Sequence, residues 1–94
     1  MIYPENIAIR KKHVVCKALE NEGIILNLNT GDCYNITESG LFIWRSLGGR
    51  RKLREVVSDV VSKYNVDRAS AETDILKFIK ALHARDLIEL KHRK

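Results

Sequence analysis

The sequence predicts an α+β fold in which a three-stranded antiparallel sheet precedes three helices. Two observations predict it. Between positions 13 and 36, β-branched and aliphatic runs alternate with turn residues. From position 37 onward, apolar residues recur at helical spacing and are divided by breakers. At 94 residues the chain is one domain, able to bury roughly two-thirds of its unfolded surface around a single core.

Residues 1–12, which hold the lone proline, Pro4, read as an N-terminal arm; residues 13–94 read as the domain. The first strand is expected over His13–Glu20 and the second over Gly23–Asn29, with Glu20-Asn21-Glu22-Gly23 as the turn between them. The second run alternates, which puts Ile24, Leu26 and Leu28 on one face and Ile25 and Asn27 on the other. Asn29-Thr30-Gly31 reads as a three-residue hairpin loop with Gly31 in the left-handed position. The third strand then runs from Asp32 to Ile36. That loop pairs Leu28 with Asp32, Leu26 with Tyr34 and Ile24 with Ile36, so Tyr34 and Ile36 join the apolar face. A two-residue loop would pair Leu28 with Cys33 instead.

Thr37 is the expected N-cap of the first helix, with Glu38 in its first turn, where the helix dipole favours an acid. Leu41, Ile43, Trp44 and Leu47 form its apolar stripe, and Gly48-Gly49 ends it. The second helix spans about Lys52 to Tyr64 on Leu53, Val56, Val57, Val60, Val61 and Tyr64, and Asn65-Val66 breaks it. The third begins near Asp67 or Ser70 and reaches Arg85, with Ala71, Ile75, Phe78, Ile79 and Leu82 inward. Leu87–Leu90 packs as a short extended tail. Helices must cover the apolar face of so small a sheet, which makes this an architecture of winged-helix type.

Composition narrows the function. The longest apolar runs are only a few residues, too short to span a bilayer, and no secretory signal precedes the domain, so a cytoplasmic location is expected. Cys16 and Cys33 are too few for a disulfide scaffold and read as reduced, half-buried thiols. His13, His83 and His92 make no metal-type spacing with them. No GxSxG, P-loop, HExxH or CxxxCxxC pattern occurs, so the chain reads as a non-enzyme with no cofactor. The net charge of +5 is concentrated in three runs: Arg10–Lys12, Arg50–Arg54 and Lys91–Lys94. These leave a winged-helix DNA-binding protein as the alternative reading. Against it, the segment Asp67–Asp86 balances four acids with four bases, whereas a groove-reading helix carries a positive excess.

Several stretches together resemble one family. Ile25–Tyr34 (ILNLNTGDCY) is similar to its strand–turn–strand signature, and Ser39–Trp44 (SGLFIW) to its first helix. Leu53–Val57 and Asp74–Leu82 are similar to its next two helices. The family is PqqD-like, that of the RiPP recognition elements, which bind the leader peptides of ribosomally made, modified peptides. The family often has Leu-Asn where this chain has Ile36-Thr37, and usually Gly where it has Asp86; Thr also caps a helix, and Asp tolerates left-handed geometry.

The third strand is an edge without proline or lysine, on which an extended peptide can add. The resemblance implies that mode, with the third helix walling the groove. It implies a peptide-binding adaptor whose partners are a precursor peptide and a modifying enzyme, such as a radical SAM enzyme or a leader peptidase and cyclase. The pathway could be that of pyrroloquinoline quinone, of a lasso peptide or of another modified peptide. The expected peptide-binding residues are Asp32, Cys33, Tyr34, Asn35 and Ile36 on the strand, with Asp74, Lys77, Phe78, Ala81 and Arg85 on the helix. Trp44 is expected in the core, and Phe42, off the core stripe, as a partner contact.

Overall fold

The computed structural model describes residues 2–91 and has the expected α+β order, with one addition: a second small sheet. In chain order the elements are β1 (Ile7–Arg10), β2 (Val14–Ala18), β3 (Glu22–Asn27), β4 (Cys33–Thr37), α1 (Glu38–Ser46), β5 (Gly48–Lys52), α2 (Leu53–Tyr64), α3 (Arg68–Ala84) and β6 (Ile88–Lys91). The expected meander is the sheet β2-β3-β4, and the second sheet is β5-β1-β6. His92, Arg93 and Lys94, part of the basic C-terminal run, lie outside the described residues.

The helices follow their sequence signals. The Thr37 side chain accepts from the Gly40 N–H at 3.2 Å and caps α1. The Asp67 carboxylate accepts from the Ser70 N–H at 3.0 Å and caps α3. Asn65 ends α2 in the left-handed conformation, φ 52°. Leu53, Val56, Val57, Ile75, Ile79 and Leu82 are all buried, as is Trp44.

The register of the meander corrects the expectation. Leu26 pairs with Cys33, Ile25 with Tyr34, Ile24 with Asn35 and Gly23 with Ile36, one residue away from the predicted pairing. The loop is four residues, Leu28–Gly31, and its closing residue accounts for it. The Asn27 side-chain carbonyl accepts from the Asn29 N–H at 2.9 Å, and the Asn27 backbone carbonyl accepts from the Gly31 N–H at 2.7 Å. Gly31 does take the left-handed position, φ 81°. The slip turns β3 over. Gly23, Ile25 and Asn27 face the helices; Ile24 and Leu26 face outward, and Leu28 is 58% exposed. Tyr34 and Ile36 stay on the inner face, as expected. The first turn also tightens to Glu20-Asn21, closed by the Leu19 N–H donating to the Glu22 carbonyl at 2.8 Å. Gly23 is therefore a strand residue. A Cβ there would lie 3.1 Å from both Ile36 Cγ1 and Leu41 Cδ1, so its absence lets α1 settle on the sheet.

Most of the arm's second half is structure. β1 pairs with β6 from Ile7↔Lys91 to Arg10↔Ile88, and with β5 at Ile7↔Lys52 and Ile9↔Gly48. Its preceding turn caps α2: the Leu53 N–H donates to the Asn6 carbonyl and the Arg54 N–H to the Pro4 carbonyl, each at 2.9 Å. Gly48-Gly49 ends α1 as expected but continues into β5.

Candidate functional site

Local hydrogen bonds establish which way the meander's edges point. The Leu28 N–H donates to the His13 carbonyl at 2.8 Å, and the Asn27 N–H to the Asp32 carbonyl at 2.9 Å. Ladder bonds alternate along antiparallel strands. The backbone groups of Tyr34 and Ile36 therefore turn toward β3, and those of Cys33 and Asn35 turn out to the free edge of β4. Among the described residues, that edge carries an unused donor and acceptor at each of two alternate residues.

Beside it lies an open groove of about 420 Å³, bounded by Cys33–Ile36 on one side and by Phe78, Ala81, Leu82, Arg85 and Leu87 on the other. A second hollow continues it past Asn35 and Ile36 to Thr37, Ser39, Gly40, Ile43 and Asp74. The wall is one stripe of α3 and its C-cap: positions 74, 78, 81 and 85 step by four, three and four, and so share a face. Apolar groups form the floor, with an acid, Asp74, at one end and a base, Arg85, at the other. The Arg85 guanidinium sits 5.0 Å from the centre of the Tyr34 ring and spans from α3 to β4.

Eight of the ten residues expected from sequence are thus gathered around this groove. Lys77 is exposed outside it, one position round the helix from Phe78. Asp32 lies between the hairpin loop and β4, outside the groove, and its carboxylate accepts from the Thr30 hydroxyl at 3.0 Å. Leu82, read as core, and Leu87, read as part of the extended tail, were missed; both are buried, yet they line the groove. Ser39 and Gly40 carried a signal, since they belong to the family-like SGLFIW stretch.

The turn after α3 is fastened from outside the groove. Asp86 has φ 61° and its carboxylate binds Lys11. The hydrogen bond from Lys11 holds its carboxyl below the usual range; desolvation opposes it, and the charges of Lys11, His13 and His83 add to the lowering. Phe42 packs within the domain: its ring meets Tyr64 edge-on at 5.9 Å, with Lys63 5.1 Å over its face. Cys33 is exposed, not half-buried; Cys16 is half-buried as expected, and burial pushes its thiol up.

Four side chains of the basic runs pair locally. Arg51 binds Asp59 at 2.6 Å, Lys52 and Arg54 bind Glu5 at 2.9 and 3.3 Å, and Lys11 binds Asp86. These pairs occupy part of the positive surface on which the DNA-binding alternative rested. Among the described residues, no three His, Cys, Asp or Glu side chains are grouped to hold a metal ion, and no helix is long and apolar enough to cross a membrane.

Two solved structures share the fold. TbiB1 in complex with the TbiA(beta) leader peptide is 30% identical, with a TM-score of 0.79 over 86% of this chain and 94% of that one. Lasso peptide synthetase B1 complexed with the leader peptide is 17% identical, with a TM-score of 0.77 over 87% of this chain and 96% of that one. Comparison with curated proteins finds no significant match. The family described as coenzyme PQQ synthesis protein D matches residues 22–88, which run from the start of β3, through the groove, into β6. The chain belongs to the PqqD family.

Proposed function

We propose that this domain is a leader-peptide adaptor. It holds the leader of a ribosomally made precursor as a fourth strand on β4 and presents the remainder to a separate modifying enzyme. The observation that carries this reading is the coincidence of a free edge with a side-chain groove. Backbone groups at Cys33 and Asn35 face outward, and the apolar floor of Phe78, Ala81, Leu82 and Leu87 lies beside them. An added strand uses the first for affinity and the second for specificity. The relatives with bound leader peptides support the same reading.

The adaptor contributes no bond chemistry. Its effect is to raise the local concentration of substrate at the enzyme, which is a peptidase and cyclase of the lasso type or a radical SAM enzyme. The test is an amide-resolved titration of labelled protein, with the TbiA(beta) leader peptide and with the leader of any short precursor encoded beside this chain's own gene as probes. Binding should move the Cys33 and Asn35 amides and the Phe78 ring. If neither leader moves them, this chain is not a leader adaptor of that kind.

A further inference from the structure

The meander has a second free edge, on β2, and it faces a different hollow. The Leu28 N–H donates to the His13 carbonyl and the Leu19 N–H to the Glu22 carbonyl, so the odd-numbered residues of β2 bond to β3. Val14, Cys16 and Ala18 turn their backbone groups outward. The Val14 N–H donates to the Lys11 carbonyl at 3.2 Å, whereas Cys16 and Ala18 have no partner on that side among the described residues.

These residues line a hollow of about 260 Å³, closed by Leu41, Trp44 and Arg45 of α1 and Arg10 of β1. Arg10 stands 6.0 Å from the centre of the Trp44 ring. Among the described residues, neither Arg10 nor Arg45 pairs with a carboxylate, although Lys11, Arg51, Lys52 and Arg54 all do. Glu20 and Glu38 line the adjoining hollow with Arg45, but neither comes within ion-pair distance of it.

We infer that the β2 edge is a second docking site, for an extended segment of a partner protein that carries an Asp or Glu. The segment adds to β2 through Cys16 and Ala18. One of its acidic side chains, on the face turned toward α1, enters the hollow between Arg10 and Arg45. Two guanidiniums without counter-charges select an anion, and the open backbone groups select extended chain. A second copy of this chain is a poor occupant, because pairing β2 with itself would bring four arginines together.

The test uses labelled full-length protein and two capped pentapeptides at low salt, TVEVT and TVKVT. The acidic peptide should shift the Cys16 and Ala18 amides and the Arg45 side chain, and the lysine peptide should bind about tenfold more weakly or less. Arg10→Ala with Arg45→Ala should remove the difference between the peptides. Ala18→Pro, which loses only an outward N–H, should weaken both while the amide spectrum stays folded. Equal binding of the two peptides, no shift at millimolar peptide, or shifts confined to Cys33 and Asn35 would each overturn the proposal. So would β2 shifts that follow protein concentration alone, since a second copy would then own the edge. Leader binding reads out on the β4 amides, so the two sites can fail separately.

Discussion

Proline distinguishes the two directions of the β4 backbone. At Asn35 the N–H faces the free edge, whereas at Tyr34 it faces β3 opposite Ile25. Proline lacks that N–H and is tolerated in an edge strand where the N–H points away from the sheet. Asn35→Pro should therefore leave the melting temperature within a few degrees of wild type. It should remove one bond to an added leader strand, worth about 0.5–1.5 kcal/mol, or about 2- to 13-fold in Kd, with ring clash adding to it. Tyr34→Pro should damage the fold itself. It deletes a ladder bond and leaves the carbonyl of the fully buried Ile25 unpaired, at about 1–3 kcal/mol. It also removes the ring beneath Arg85, worth about 0.5–1 kcal/mol. Together these come to about 1.5–4 kcal/mol and predict a fall in Tm of roughly 8–20 °C for a domain of this size. The assay is thermal melting followed by leader titration of each folded variant. A folded Asn35→Pro that binds leader like wild type refutes strand addition on β4, and a Tyr34→Pro as stable as wild type refutes the register.

Other consequences follow from the same geometry. Deleting residues 1–10 should lower stability by several kcal/mol, roughly 4, because Ile7 and Ala8 are buried and the Pro4 and Asn6 carbonyls cap α2; an unchanged Tm would show the arm to be dispensable. Arg85→Glu should weaken leader binding with little effect on Tm, while Lys77→Glu, outside the groove, should leave affinity unchanged; equal losses would move the site further round α3. Iodoacetamide should alkylate exposed Cys33 faster than half-buried Cys16, whose thiol burial pushes up, and bound leader should protect only Cys33; mass spectrometry reads both sites. The Asp86 carboxyl is held low by Lys11 in the folded state, so its contribution is present above the ordinary carboxylate range and lost as pH falls through the lowered folded value. The Tm gap between wild type and Asp86→Asn should accordingly narrow on acidification, and a gap independent of pH would exclude that linkage.

Local chemistry in the sequence determined the helices. Thr37, Asp67 and Asn65 mark helix ends through bonds made within a few residues, and the stripes of α2 and α3 need only helical periodicity to declare their buried faces. The α3 wall of the groove was legible for that reason, because Asp74, Phe78, Ala81 and Arg85 flank the inward stripe of Ile75, Ile79 and Leu82. The outward direction of Cys33 and Asn35 was legible too, and it survived the wrong register. A three-residue and a four-residue loop both make Asp32 the first bonded position of β4, so the slip fell entirely on β3.

Tertiary structure decided what alternation could not. Both faces of β3 are apolar, Ile24 and Leu26 on one and Ile25 on the other, so hydrophobic pattern alone does not say which is inside. The choice rests on Gly23 admitting Leu41 and on the Asn27 turn, contacts that exist only once α1 lies on the sheet and the loop has closed. Strand β1 was illegible for a related reason. Its four residues have no local partner, and its bonds go to β5, about 40 positions away, and to β6, about 80 positions away. A strand so short is stable only when both neighbours are already in place, and that condition is set by the packed helices between them.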